Sequence, residues 1–219
     1  MKIQVNISIF LVLTHLSISA CTRVEGSANE IKSLGEKEQT AEDKQPVQIS
    51  IKDVIGVLSF TEKNNTEKFN LYNKDGSIWK SLSLNETNGI QPFAWSPDYY
   101  LLVFKCVGKD SKFYHVVVDE SSQEVKQIKI DDLNFNFQTL EDHILNVFSV
   151  EFNPINNPLK ESSSSGAVTT PYDENEFYHP VEIKGEWLKV KWGNEGNWSY
   201  AWVKWKNGEE LIIELYYFA

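Results

Sequence analysis

Hydrophobic and polar positions divide the chain into five stretches. An apolar run from Ile3 to Leu16, interrupted by Gln4, Asn6, Ser8, Thr14 and His15, follows the single early charge Lys2. Residues 22–47 are rich in Glu, Lys, Ser, Gly and Gln and nearly free of aromatics. Such a stretch buries too little apolar surface to offset the entropy of ordering and reads as a flexible tether. From Ile49 onward, short β-branched and aromatic runs alternate with turn residues, the pattern of strands. Ile49–Ile51 and Val54–Phe60 open the series. Phe69–Tyr72 and Ser77–Lys80 flank Asn73-Lys74-Asp75-Gly76, a hairpin in which Gly76 supplies the positive φ of the turn. A second hairpin is expected from Tyr99–Val107, a Gly108-Lys109-Asp110 turn and Phe113–Val118, with Val125–Ile130 continuing the meander.

One helix is predicted. Thr139 is a fair N-cap, and Asp142 stands three positions later, where a carboxylate favours the helix start. Leu140, Ile144, Val147 and Phe148 then share a face. His143, beside Glu141 and Asp142, is expected on a solvated charged face, because adjacent helical residues do not converge on one ligand. Residues 153–175, with Pro154, Pro158, Ser162–Ser165, Gly166 and Pro171, read as a loop or linker.

The carboxy-terminal segment alternates most cleanly. Leu188, Val190 and Trp192 point one way, and Trp187, Lys189 and Lys191 the other. For the following hairpin, a two-residue Asn207-Gly208 loop would mix charged and apolar groups on both faces. A Lys206-Asn207-Gly208 turn with Gly208 left-handed sorts them better, pairing Val203 with Leu211 and Ala201 with Ile213. The core expected from that register is Ala201, Val203, Trp205, Leu211, Ile213 and Leu215, with Tyr200 and Trp202 outward. The fold class is thus mainly β: antiparallel meander and hairpins (48–152) with one short helix, the 153–175 loop, and an aromatic-rich β region (176–219).

Composition narrows the function. The 219 residues carry a net charge of −10, and loss of residues 1–20 would remove Lys2 and no acid. An acidic body repels phosphate backbones, and Arg23 is the only arginine, so no nucleic-acid partner is expected. Of two cysteines, Cys106 lies in the apolar run Leu101–Val107 and reads as a buried thiol rather than a reactive one. No metal-ligand cluster, nucleophile elbow or Cys–His signature occurs, so no metal or cofactor is expected and the chain is read as not an enzyme.

Two local resemblances give these features a setting. Ile18-Ser19-Ala20-Cys21, after an apolar segment, resembles the lipobox of bacterial lipoproteins. It implies a signal peptide over 1–20 and acylation (palmitate) of Cys21, with 21–47 as the lipidated tether to a membrane. The setting would be the cell envelope, the outer membrane facing the periplasm in a diderm, since Thr22 replaces the Asp of inner-membrane retention. Trp187-Leu188-Lys189-Val190 and Ala201-Trp202-Val203 resemble the Trp-x-Lys-Val and Gly-Trp-Val strands of bacterial Src-homology-3-like domains. That resemblance implies a small carboxy-terminal barrel or sheet serving as a binding module. Phe93-Ala94-Trp95-Ser96-Pro97-Asp98 resembles one blade of periplasmic β-propellers but has no second copy, so it is read as a single turn.

The candidate ligand-binding residues are Trp187, Trp198, Tyr200 and Trp202, since aromatic side chains on an exposed face favour interaction sites. The reading is a non-catalytic, membrane-anchored envelope lipoprotein binding a cell-wall glycan, a peptide or a protein. An acidic inhibitor or immunity-type lipoprotein meeting a basic target is the alternative, and a hydrolase of unrecognised type the second.

Overall fold

A computed structural model describes residues 50–61, 68–86 and 89–219. The expectations for the signal, Cys21 and the tether lie outside the described residues. The strands are β1 (Gly56–Phe60), β2 (Lys68–Tyr72), β3 (Ile78–Ser83), β4 (Ala94–Ser96), β5 (Leu101–Lys109), β6 (Phe113–Asp119), β7 (Glu124–Lys129) and β8 (Phe135–Gln138). After the helix α1 (Leu140–Leu145) come β9 (Ser149–Glu151), β10 (His179–Lys184), β11 (Trp187–Asn194), β12 (Asn197–Lys204), β13 (Lys206–Asn207), β14 (Glu210–Leu211) and β15 (Glu214–Tyr216).

The fold is mainly β, with antiparallel sheets and one short helix. The first sheet runs β3-β2-β7-β6-β5-β1-β8, with β4 also on β5, so only β5–β6–β7 is a true meander. The sheet curls, bringing β2, next to one end, toward β8 at the other. Phe69 of β2 meets Phe135 of β8 edge-on with ring centroids 5.4 Å apart, and Asn134 Nδ2 donates to the Lys68 carbonyl at 3.2 Å. Among the described residues no backbone ladder joins these two strands. The curl wraps one apolar cluster that includes Leu58, Phe69, Phe104, Cys106, Val116 and Ile128.

The β2–β3 turn forms as expected, with Gly76 at φ +82° and the Asp75 carboxylate accepting from the Ser77 amide at 2.9 Å. The next turn lies two residues later than expected. Asp110 accepts from the amides of Lys112 (2.7 Å) and Phe113 (2.9 Å), an Asx arrangement that starts the turn there. Gly108 stays in β5, where the register shifts against β6.

A second cluster joins both halves of the sequence. Val57, Val103, Leu140 and Ile144 pack with Leu188, Val190, Ala201, Val203, Trp205 and Ile213. Trp205 is 1% exposed, and its Nε1 donates to the Gly185 carbonyl at 2.9 Å. That anchor turns the chain out of β12 and resets the next hairpin. Lys206 pairs with Leu211 and Asn207 with Glu210, around a Gly208-Glu209 loop with Gly208 at φ +60°. Neither expected register is the observed one, although Ala201, Val203, Trp205 and Ile213 are buried and Leu211 and Leu215 pack against them.

β15 then crosses back to pair with β9. The carboxy-terminal region is therefore a three-stranded sheet β10-β11-β12 with separate short pairs, and no sheet closes into a barrel. Residues 153–175 are built into this unit rather than spacing it. Leu159 is fully buried, and Lys160 exchanges two 2.7 Å backbone hydrogen bonds with Trp202.

Candidate functional site

β11 and β12 pair in full register from Trp187–Lys204 to Asn194–Asn197. Residues directly opposite each other in an antiparallel pair share a face. Leu188, Val190, Ala201 and Val203 fill the core side. The outward side therefore carries Trp187, Lys189 and Lys191 of β11 beside Trp198, Tyr200, Trp202 and Lys204 of β12. All four aromatic residues singled out from the sequence stand on this one face. Tyr200 is 50% exposed, whereas Trp187, Trp198 and Trp202 are half-buried.

The rings interleave with ammonium groups. Lys191 Nζ lies 4.4 Å from the Trp198 ring centroid, and Lys189 Nζ lies 5.4 Å from Tyr200 and 5.9 Å from Trp202. Lys204 Nζ lies 5.7 Å from the Trp187 ring and 3.1 Å from Glu186. Each contact is within the range at which a ring quadrupole attracts a cation. The lysines were legible in the alternation, but their placement over the rings depends on the β11–β12 pairing. Glu186 titrates below the usual carboxylate range, because Lys204 and the Gly208 amide hydrogen-bond it.

Both edges of this face hold residues the sequence did not single out. On one side Lys160, paired with Trp202, brings a further ammonium, and Asn157 Nδ2 donates to the Lys204 carbonyl at 2.7 Å. On the other, His179 pairs with Lys191 and donates through Nδ1 to the Phe148 carbonyl at 2.6 Å. Its ring meets Phe148 and Trp198 edge-on at 5.0 and 6.1 Å. No local pattern announces this row, because it assembles from three distant segments.

Other places carry less chemistry. A cleft of about 510 Å³ is lined by Phe93, Lys105 and Leu140 together with Glu209, Glu210 and Leu211. An open cleft of about 770 Å³ lies against Tyr172, Asp173, Glu174 and Trp192. His143 is not solvated: it is 5% exposed, with Nε2 3.0 Å from the Tyr217 hydroxyl, and burial pushes its pKa down to about 4. Its ring belongs to the apolar side of α1, three residues from Leu140 and one from Ile144. Cys106 is buried and its thiol pKa is raised by that burial. His115 Nε2 sits 3.1 Å from Asp110 at an exposed turn. Among the described residues, no group of three or more His, Cys, Asp or Glu is placed to hold a metal ion. No helix among them is long and apolar enough to cross a membrane.

Comparison with family models, with curated proteins and with solved structures finds no match to this chain.

Proposed function

We propose that this protein is a lipid-anchored envelope module that binds a partner through the outward face of β10-β11-β12 and does no chemistry on it. The observation that carries the reading is the convergence of Trp187, Trp198, Tyr200 and Trp202 on one solvent-facing side of a sheet whose other side is core. Aromatic side chains give large contact area for little lost rotamer freedom, and they dominate binding energies where they cluster. The face is held from behind by Leu188, Val190 and Val203, all fully buried, so little ordering is needed on association. The Ile18–Cys21 segment supports anchorage through acyl chains, each buried methylene contributing about 0.8 kcal/mol.

Two experiments test the two parts. Labelled palmitate enters the wild-type protein in native cells and fails to enter Cys21→Ser; equal incorporation removes the anchor. Capture of envelope material by the wild-type protein drops with Tyr200→Ala or Trp202→Ala, each weakening binding by roughly tenfold or more while the fold persists. Unchanged capture by both variants removes this face as the site.

A further inference from the structure

We infer that the ligand of the aromatic–lysine face is an anionic glycan, an extended polysaccharide bearing carboxylate or phosphate groups. This rests on the binding reading above and adds the chemistry of the partner. The first argument is charge separation. The chain as a whole is at −10. Yet the positions that register assigns to the outward face hold Lys160, Lys184, Lys189, Lys191 and Lys204, against Glu182 among their strand neighbours. Glu186 neutralises Lys204 at 3.1 Å, and the other lysines leave the face positive. Exposed charges farther away than about 8–10 Å are largely screened at physiological salt, so a ligand on this face meets the lysines and not the net charge.

The second argument is the state of those lysines. A free lysine loses rotamer entropy when it is fixed on a ligand. Lys189 and Lys191 already rest over Tyr200, Trp202 and Trp198, so part of that ordering is done before the ligand arrives. Tyr200 keeps half its surface open, and Trp187, Trp198 and Trp202 stay part-exposed. One ligand that uses both features has flat apolar C–H faces to lie along the rings and pendant anions to meet the ammoniums. A chain of acidic sugars has both.

The third argument concerns the backbone. A peptide commonly docks by adding a strand to a free sheet edge. The β12 edge is closed at Trp202 by both hydrogen bonds of Lys160 and at Lys204 by Asn157. Strand addition is thus blocked along that part of the β12 edge, and the inferred ligand lies on the side-chain face, where main-chain pairing has no role. Arginine, the usual fork for phosphate backbones, is absent from the described residues, which disfavours nucleic acid.

Titration calorimetry of the full-length protein in neutral detergent tests the assignment. The probes are polygalacturonate for carboxylate, phosphomannan for phosphate, dextran as the neutral glycan, polyglutamate, and a thymidine homo-oligonucleotide. The expected result is binding of one or both anionic glycans and weaker or no binding of the rest. Affinity should fall as salt rises, by roughly tenfold in a Lys189→Ala/Lys191→Ala double variant, and be restored by lysine-to-arginine replacement at both sites. Tyr200→Ala, a surface change, should weaken binding without shifting the melting temperature. Tighter binding of polyglutamate or the oligonucleotide overturns the glycan assignment, and so does the absence of binding to either anionic glycan. Equal binding of dextran overturns the role of charge. Envelope capture that depends on Trp202 but not on Lys189 and Lys191 overturns this inference and leaves the binding face intact.

Discussion

At the scale of single residues, His143 sets a pH dependence. Unfolded histidine titrates at 6.5, whereas burial holds folded His143 at about 4. Between those values the unfolded chain takes up a proton that the folded protein refuses, so stability falls as pH drops from 6.5 to 4 and this contribution levels off below. The loss across the window is about 3 kcal/mol. Asp75, Asp110, Asp119 and Asp173 are held below the usual carboxylate range by hydrogen bonds, so their contribution is lost only at lower pH. Urea unfolding at pH 7 and pH 4.5 should show the decline in wild type and a much flatter response in His143→Gln; equal slopes refute it. The helix arithmetic contained the information, since residue 143 falls three after Leu140 and four before Val147. Two neighbouring carboxylates masked it, because local charge suggested solvent where tertiary packing placed Tyr217. Trp205 is the converse: its burial was legible, but its bond to Gly185 was not. Trp205→Ala removes the largest side chain of that core and should cost about 4 kcal/mol in the same unfolding assay.

At the scale of elements, tight turns were read well and their consequences less so. Asn73–Gly76 identified one hairpin from four residues, since a positive φ and a short loop fix both strands. The β13–β14 register could not be found that way. It depends on Trp205 leaving β12, a tertiary event with no local signal. Gly56 is another such position: a Cβ there would lie 2.4 Å from the Gln138 carbonyl oxygen and 2.7 Å from the Phe137 ring. β1 is held between β5 and β8, so neither neighbour can yield without opening the sheet. Gly56→Ala should therefore destabilise by about 3 kcal/mol, seen as a lower urea midpoint. Asn157, 8% exposed, bonds both the carbonyl and the amide of Lys204. Asn157→Ala leaves both backbone groups to find other partners, at about 2 kcal/mol. A loss confined to a few tenths would mean that water replaces the amide side chain at no cost.

At the scale of the whole molecule, composition suggested a break that packing bridges. The serines and prolines of 153–175 have the content of a spacer, but Leu159 and Tyr172 join the same core as Val57 and Val203. The described residues group as one compact unit. The helix α1 is what ties the two sheets together: Leu140 and Ile144 pack on Val57 and Val103 of the first and belong to the cluster that holds Leu188 and Ala201 of the second. β15 adds a hydrogen-bonded return, since the last strand pairs with β9 rather than with its sequence neighbours. Removing either half would expose the shared apolar cluster, at about 25 cal/mol for each Å² returned to water. Unfolding should then be a single event. Tryptophan fluorescence, which reports mainly on the second sheet, and far-ultraviolet circular dichroism, which reports on both, should give the same urea midpoint. Two separated midpoints, or a chain ended at Phe152 that still folds cooperatively, would mean that the first sheet is stabilised by its own Phe69–Phe104–Phe135 cluster alone.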